Sequence, residues 1–189
     1  MYCLGRTPGL KAGSRLRAVK VWLTVAGLAL TGCNLVRGPP KEGECRSNLR
    51  TILAREEDFF STHRRYSVHP GEVGFAPPPG NRYLYLFAPS GPVSRRDGQP
   101  GPGPLEAVGI GPDTRSRGVS LEALLERFPA ELRASLGVHG ECPACSVTVG
   151  CVGKLGAEDE VDVWSIASVD RVVDGEPAVR GTAFHHHRR

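Results

Sequence analysis

Residues 45–66 read CRSNLRTILAREEDFFSTHRRY, and this stretch decides how the rest of the chain is to be understood. Leu49, Ile52, Leu53, Phe59, Phe60 and Tyr66 recur largely at i, i+3, i+4 and i+7, the spacing that gathers side chains on one side of an α-helix. Arg46, Arg50, Arg55, Glu57, Asp58 and Arg64 take the other side, and Glu56 stands within the apolar stripe. The pattern predicts a helix with one face on a core and the other in water.

Downstream of it the periodicity changes. Residues 81–88, NRYLYLFA, are aromatic and aliphatic between APPPG and PSGP, as expected of a strand. Residues 89–104, PSGPVSRRDGQPGPGP, hold too many Pro and Gly residues for regular structure and are expected to form a long loop. Residues 119–137 predict one or two helical turns, with Ser120 as a cap and Pro129 restarting the run. Beyond Gly137 the chain turns to β. SVTVGCVG (146–153), VDVWSIAS (161–168) and RVVDGEPAVRGTAF (171–184) are rich in Val and parted by Gly, Asp or Glu turns. One long helix followed by mostly antiparallel strands with a small helical insert defines an α+β fold, a helix packed on a sheet.

Upstream, residues 34–44 (NLVRGPPKEGE) are polar and broken by Pro39 and Pro40, and read as a tether. Before them a basic stretch ends at Lys20, an apolar run VWLTVAGLAL fills 21–30, and Thr31 and Gly32 precede Cys33, the order of a secretory leader. The run falls short of the about 18 apolar residues that a membrane span needs. Five of the 24 basic residues lie before Cys33 and no acidic one does, which leaves 19 basic against 20 acidic residues from Cys33 onward. A nearly neutral mature chain lacks the concentrated basic surface that phosphate binding requires, so nucleic acid is set aside as a partner. No nucleophile–base arrangement, phosphate loop or paired-carboxylate signature stands out, and no small-molecule substrate is evident. The 189 residues suffice for one globular domain with appendages.

Two resemblances follow. LTGC (30–33) resembles the lipobox of bacterial lipoproteins. It implies a signal peptide over residues 1–32 cleaved just before Cys33, a diacylglycerol on the Cys33 thiol, and usually an acyl chain on the new amino terminus. Several such chains anchor stably, because each buried CH2 contributes roughly 0.8 kcal/mol. Asn34 after the cysteine, where Asp would retain the protein in the inner membrane, implies an outer-membrane destination.

SNLRTILAREEDFFSTHRRYS followed by VGFAPPPGNRYLYLFA, and later CPACSVTVGCVGKLGAEDEVDVWSIASVDR, resemble the globular part of type IV pilins over residues 45–171. The resemblance implies a helix on an antiparallel sheet across residues 45–189, ending in a loose tail. It also implies a structural or adhesive role without catalysis, or one accessory to a type IV pilus or a type II secretion-type machine. Pilins continue this helix toward the N-terminus as a long apolar stretch after a Gly-Phe cleavage site. Here CNLVRGPPKEGE (33–44) stands in that place, which counts against prepilin-peptidase processing and ordinary filament packing. What remains is a pilin-like head held by lipid in the cell envelope.

With Cys33 carrying lipid, Cys45, Cys142, Cys145 and Cys151 can close two bridges. In an exported protein disulfides are favoured over a zinc site built from the same four thiols. In a regular strand Cys145 and Cys151 would lie about 20 Å apart, beyond the about 7 Å a bridge tolerates. Both share a face with Val147 and Val149, the face expected under the helix. The preferred pairing is Cys45–Cys151 with Cys142–Cys145, over Cys45–Cys145 with Cys142–Cys151. The rival functional reading treats Cys142-Pro-Ala-Cys145 as the centre of a periplasmic thiol–disulfide oxidoreductase, which would need Cys142 at a helix N-terminus. Glu158, Asp159, Glu160 and Asp162, in GAEDEVD, are a calcium candidate, since some pseudopilins carry calcium in a comparable loop; a solvated turn is the preferred reading. No other cofactor is expected. Trp164 is expected in the core, and residues 185–189, HHHRR, as a frayed basic tail.

Overall fold

The computed structural model describes residues 41–96, 101, 103–113, 120–154 and 161–186. In chain order its elements are α1 (Lys41–His63), β1 (Tyr83–Leu86), β2 (Val93–Arg96), β3 (Gly109–Asp113), α2 (Leu121–Arg127), α3 (Ala130–Ala134), β4 (Gly137–His139), β5 (Ser146–Lys154), β6 (Val161–Ala167), β7 (Arg171–Val173), β8 (Glu176–Ala178) and β9 (Phe184–His185). The architecture is α+β, with one long helix on a largely antiparallel sheet, as the periodicity predicts.

Helix α1 begins at Lys41 instead of Cys45, so its first turn takes in residues read above as tether. Pro39 and Pro40 lie just ahead of it in the sequence, and Glu44 near its start is acidic, which suits the positive end of the helix dipole. Glu44 grips β1 from there: its carboxylate accepts from the Arg82 backbone N–H (3.1 Å), Nε (3.0 Å) and Nη2 (2.7 Å). The helix ends at His63, short of Tyr66, because Arg64 turns into the left-handed region at φ 59° while its N–H reaches Phe60 O at 2.8 Å. A glycine usually takes that position.

Seven strands form the main sheet in the order β2-β3-β1-β5-β6-β9, with β4 pairing β5 alongside, and β7–β8 is a separate hairpin. All pairs are antiparallel except β2 with β3, which run parallel. Strands β2 and β3 correct the expected loop over 89–104 and add a strand where none was predicted. Gly109, Gly111 and Pro112 hide β3 from a pattern search, although it is buried along its length. A register shift between Ser94 and Arg96 breaks the ladder near Pro112, whose nitrogen cannot donate to it.

Alternation along β5 sorts the core into two layers. Val147, Val149 and Cys151 face α1 with Tyr83, Tyr85, Phe87 and Ile166, and meet Cys45, Leu49, Ile52 and Leu53. Leu84, Leu86, Val152 and Val163 face the other way and are covered by Leu124, Phe128, Leu132 and Leu136 of the α2–α3 insert and the residue after it. Burying each such aliphatic side chain contributes about 1.5–3 kcal/mol. The insert therefore closes the second face of the sheet. Its start is fixed as predicted, with Ser120 Oγ accepting from the Ala123 N–H at 3.1 Å, and Pro129 precedes α3. Two glycines in β5 make room for the packing, Gly150 on the insert side and Gly153 on the α1 side. A Cβ on Gly150 would sit 2.7 Å from the Phe128 ring, and one on Gly153 would sit 2.5 Å from the Tyr83 ring.

Candidate functional site

Cys45 in the first turns of α1 and Cys151 in the middle of β5 are fully buried and joined by a disulfide, with Cα atoms 6.4 Å apart. Cys142 and Cys145 are joined across the turn between β4 and β5, with Cα atoms 4.5 Å apart. This is the preferred pairing of the two. The residues after Cys142 make a turn and enter β5, so no helix N-terminus stands behind its sulfur to stabilise a thiolate. The oxidoreductase reading thereby loses its physical basis, and the bridge acts as a clip on a hairpin. Cys33 lies outside the described residues.

A buried polar cluster sits at one end of the α1 layer. Asp162 of β6 is 1 % exposed and accepts from Tyr83 Oη (2.7 Å), Trp164 Nε1 (2.7 Å) and His185 Nε2 (2.9 Å). Trp164 stacks on His185 with centroids 4.3 Å apart, and the Arg46 guanidinium lies 5.9 Å from the Trp164 centroid. Burial, then the Asp162 hydrogen bond, push the Tyr83 phenol far above its ordinary range, so it serves as a permanent donor. Asp162 thus turns into the core. The other three candidates, Glu158, Asp159 and Glu160, lie outside the described residues. Among the described residues no group of three or more His, Cys, Asp or Glu side chains is placed to hold a metal. Trp164 is half-buried at the margin of the core. His185 and His186 belong to or adjoin β9 instead of a frayed tail, with His186 N donating to Val163 O at 2.9 Å; His187 to Arg189 are not described.

Glu56 is a second buried acid, one turn beyond Ile52 in the apolar stripe of α1. Its Oε2 accepts from the Ser67 N–H at 3.0 Å, while Oε1 has no hydrogen-bond partner among the described residues. Burial pushes the carboxyl from 4.5 up to about 7; the Ser67 amide opposes this, Glu72 adds repulsion and Arg65 offsets it. Glu72 in turn accepts from Ser67 Oγ (2.7 Å) and Arg65 Nη1 (3.3 Å), which braces the segment that Ser67 ties to the helix through Glu56.

On the opposite face of the sheet, a cavity of about 600 Å³ opens between α3, β6 and the β7–β8 hairpin. Arg171, Asp174 and His186 line it. Behind them Arg171 Nη2 donates to Ser165 Oγ, and Ser165 Oγ lies 2.7 Å from His186 Nε2. His186 Nδ1 is 3.9 Å from Asp174 Oδ2. Burial, reinforced by Arg171, depresses the His186 imidazole to about 4, so it is neutral and can accept the Ser165 proton. The order Ser, His, Asp evokes a nucleophile with its base, yet Ser165 is fully buried and does not line the cavity. Its hydroxyl relays hydrogen bonds and is not presented to a substrate.

Arg171 and Ser165 escape sequence analysis, which places His186 in a tail; pairing of β9 with β6 brings His186 to Ser165, and the separate β7–β8 hairpin brings Arg171 there. Glu56 was visible as an acid inside an apolar stripe.

A helix with one buried face, joined covalently to the central strand of an antiparallel-rich sheet, gives an α+β head consistent with a pilin-like fold. No protein-family model matches the chain. It is 28 % identical over 160 residues to the type IV major pilin protein PilA of Myxococcus xanthus (strain DK1622), a similarity covering 77 % of this chain and 73 % of that protein.

Proposed function

We propose that this chain is a cell-envelope protein whose pilin-like head serves a structural or adhesive role, or is accessory to a type IV pilus or type II secretion-type machine, and that lipid on Cys33 anchors it. The observation that carries the reading is the similarity to a major pilin over most of the chain. The anchor is supported by LTGC at the end of a well-formed leader, and by the polar, proline-broken sequence of residues 34–44 where a pilin would carry a long apolar stretch. No helix among the described residues is long and apolar enough to cross a membrane. The similarity to a major pilin supports a non-catalytic role.

Two measurements test this. Cys33→Ala is expected to abolish palmitate labelling and to release the protein from the membrane fraction; continued retention would refute the anchor. The native protein is expected to co-purify with pilus filaments or with a secretion machine, and its absence from both would leave the adhesive role alone standing.

A further inference from the structure

We propose that the cavity beneath α3 is a binding site for a small amphipathic monoanion, a carboxylate carrying an apolar group, with Arg171 as its charge partner. Three observations converge on it.

The first is an unneutralised cation. The Arg171 guanidinium is half-buried and makes no ion pair among the described residues; its Nη2 is spent on the neutral Ser165 hydroxyl, and its Nε is buried without an acceptor. A guanidinium drawn out of water and left without a carboxylate is an unusual arrangement, because burial of an unpaired charge is unfavourable. A carboxylate is the counterion that a guanidinium's charge and N–H donors call for. Its pKa is lowered by burial, as expected of a charge lacking its counterion.

The second is the wall. Leu132, Val163, Val169 and Val172 line the same cavity, and Val172 is 75 % and Val169 44 % exposed. Apolar walls around one placed polar group, in a volume of about 600 Å³, have the size and chemistry of a small-ligand site.

The third is the remaining charge. Neutral His186 adds none at pH 7, and His139 is exposed at the margin. Glu131 is exposed and Asp174 is 51 % exposed, both lining the cavity. Both acids stand in solvent, which screens them, whereas Arg171 is half-buried. A single carboxylate set against Arg171 therefore feels chiefly the guanidinium, while a second negative charge would extend toward the acids, which disfavours phosphate and dicarboxylates.

The test uses the full-length chain in detergent, with ligand-observed NMR titration of 4-phenylbutyrate, 4-phenylbutylamine and acetate, and detergent-only blanks subtracted. Saturable binding of 4-phenylbutyrate is expected, at least tenfold tighter than that of the amine or acetate. Arg171→Gln is expected to weaken it about tenfold. Val172→Glu, at a wall position that is 75 % exposed, is expected to weaken it similarly with an unchanged melting temperature, and decides the matter if Arg171→Gln does not fold. Absence of saturable binding, equal binding of the amine, or unchanged binding in Val172→Glu would overturn the proposal. So would loss of self-association in Val172→Glu with 4-phenylbutyrate binding retained, which would make the wall a contact between copies of this chain.

Discussion

Replacing Glu56 by Gln should make the protein more stable at pH 8 and remove most of one component of its pH dependence. The carboxyl titrates at about 7 in the folded state against 4.5 when unfolded. Below pH 4.5 it is protonated in both states and carries no penalty. As the pH rises from 4.5 through 7, the unfolded chain releases the proton more readily than the folded one, so folding becomes progressively less favourable. Above pH 7 the full penalty applies, about 3 kcal/mol at 1.36 kcal/mol per pH unit of separation. Gln keeps an oxygen for the Ser67 N–H and is neutral throughout. Its NH2 group inherits the unpartnered position of Oε1, a defect that the protonated wild type shares. Urea denaturation with both disulfides intact, at pH 4 and at intervals up to pH 8, should give curves that nearly coincide at pH 4. They should separate by about 2–3 kcal/mol at pH 8, with the variant more stable. Glu72, whose carboxyl is held below its usual range by Ser67, acts at lower pH and equally in both proteins. Parallel curves from pH 4 to pH 8 would refute the reasoning and mean that Glu56 is solvated.

Changing both Cys45 and Cys151 to Ala should lower stability by about 2–5 kcal/mol, because the bridge closes a loop spanning 106 residues of sequence; a urea midpoint moved by less than about 1 kcal/mol would contradict this. Tyr83→Phe withdraws one of the donors to buried Asp162 and should cost about 1–3 kcal/mol in thermal unfolding. Gly153→Ala drives a methyl into the Tyr83 ring and should cost about 1–3 kcal/mol; an unchanged melting temperature would mean that β1 and β5 do not pair in this register.

What was legible in the sequence is what local periodicity controls. The stripe from Leu49 to Phe60 marks the helix, Ser120 and Pro129 mark the short helices, and Val147 through Cys151 put a cysteine on the helix side of β5. That parity, together with the reach of a disulfide, excluded a Cys145–Cys151 bridge and left two pairings open, between which it did not choose. Strands β2 and β3 were illegible because their formation is owed to pairing and not to propensity. Pro112 and the glycines of β3 lie on no strand pattern, and Val93–Arg96 sits in Pro- and Gly-rich surroundings that ordinarily stay irregular. The histidines near the C-terminus failed for a related reason: β9 exists because Trp164 and Ser165 offer it a ladder. Asp162 looked like one acid among four until the alternation of β6 placed it on the same side as Trp164, beneath the Tyr83 hydroxyl.

The bridge from Cys45 to Cys151 also has a mechanical meaning. A pull exerted through the residues ahead of Lys41 enters the head at the first turn of α1, where Glu44 already grips Arg82. One residue further on, the tension passes through a covalent bond into β5, which is hydrogen-bonded on both sides by β1, β4 and β6. The rest of the helix lies off the load path and cannot be peeled from the sheet by that pull. Extension must instead shear the central strand from its neighbours, loading many hydrogen bonds at once, so a head hung from its N-terminus resists stretching far better than its thermal stability alone would indicate.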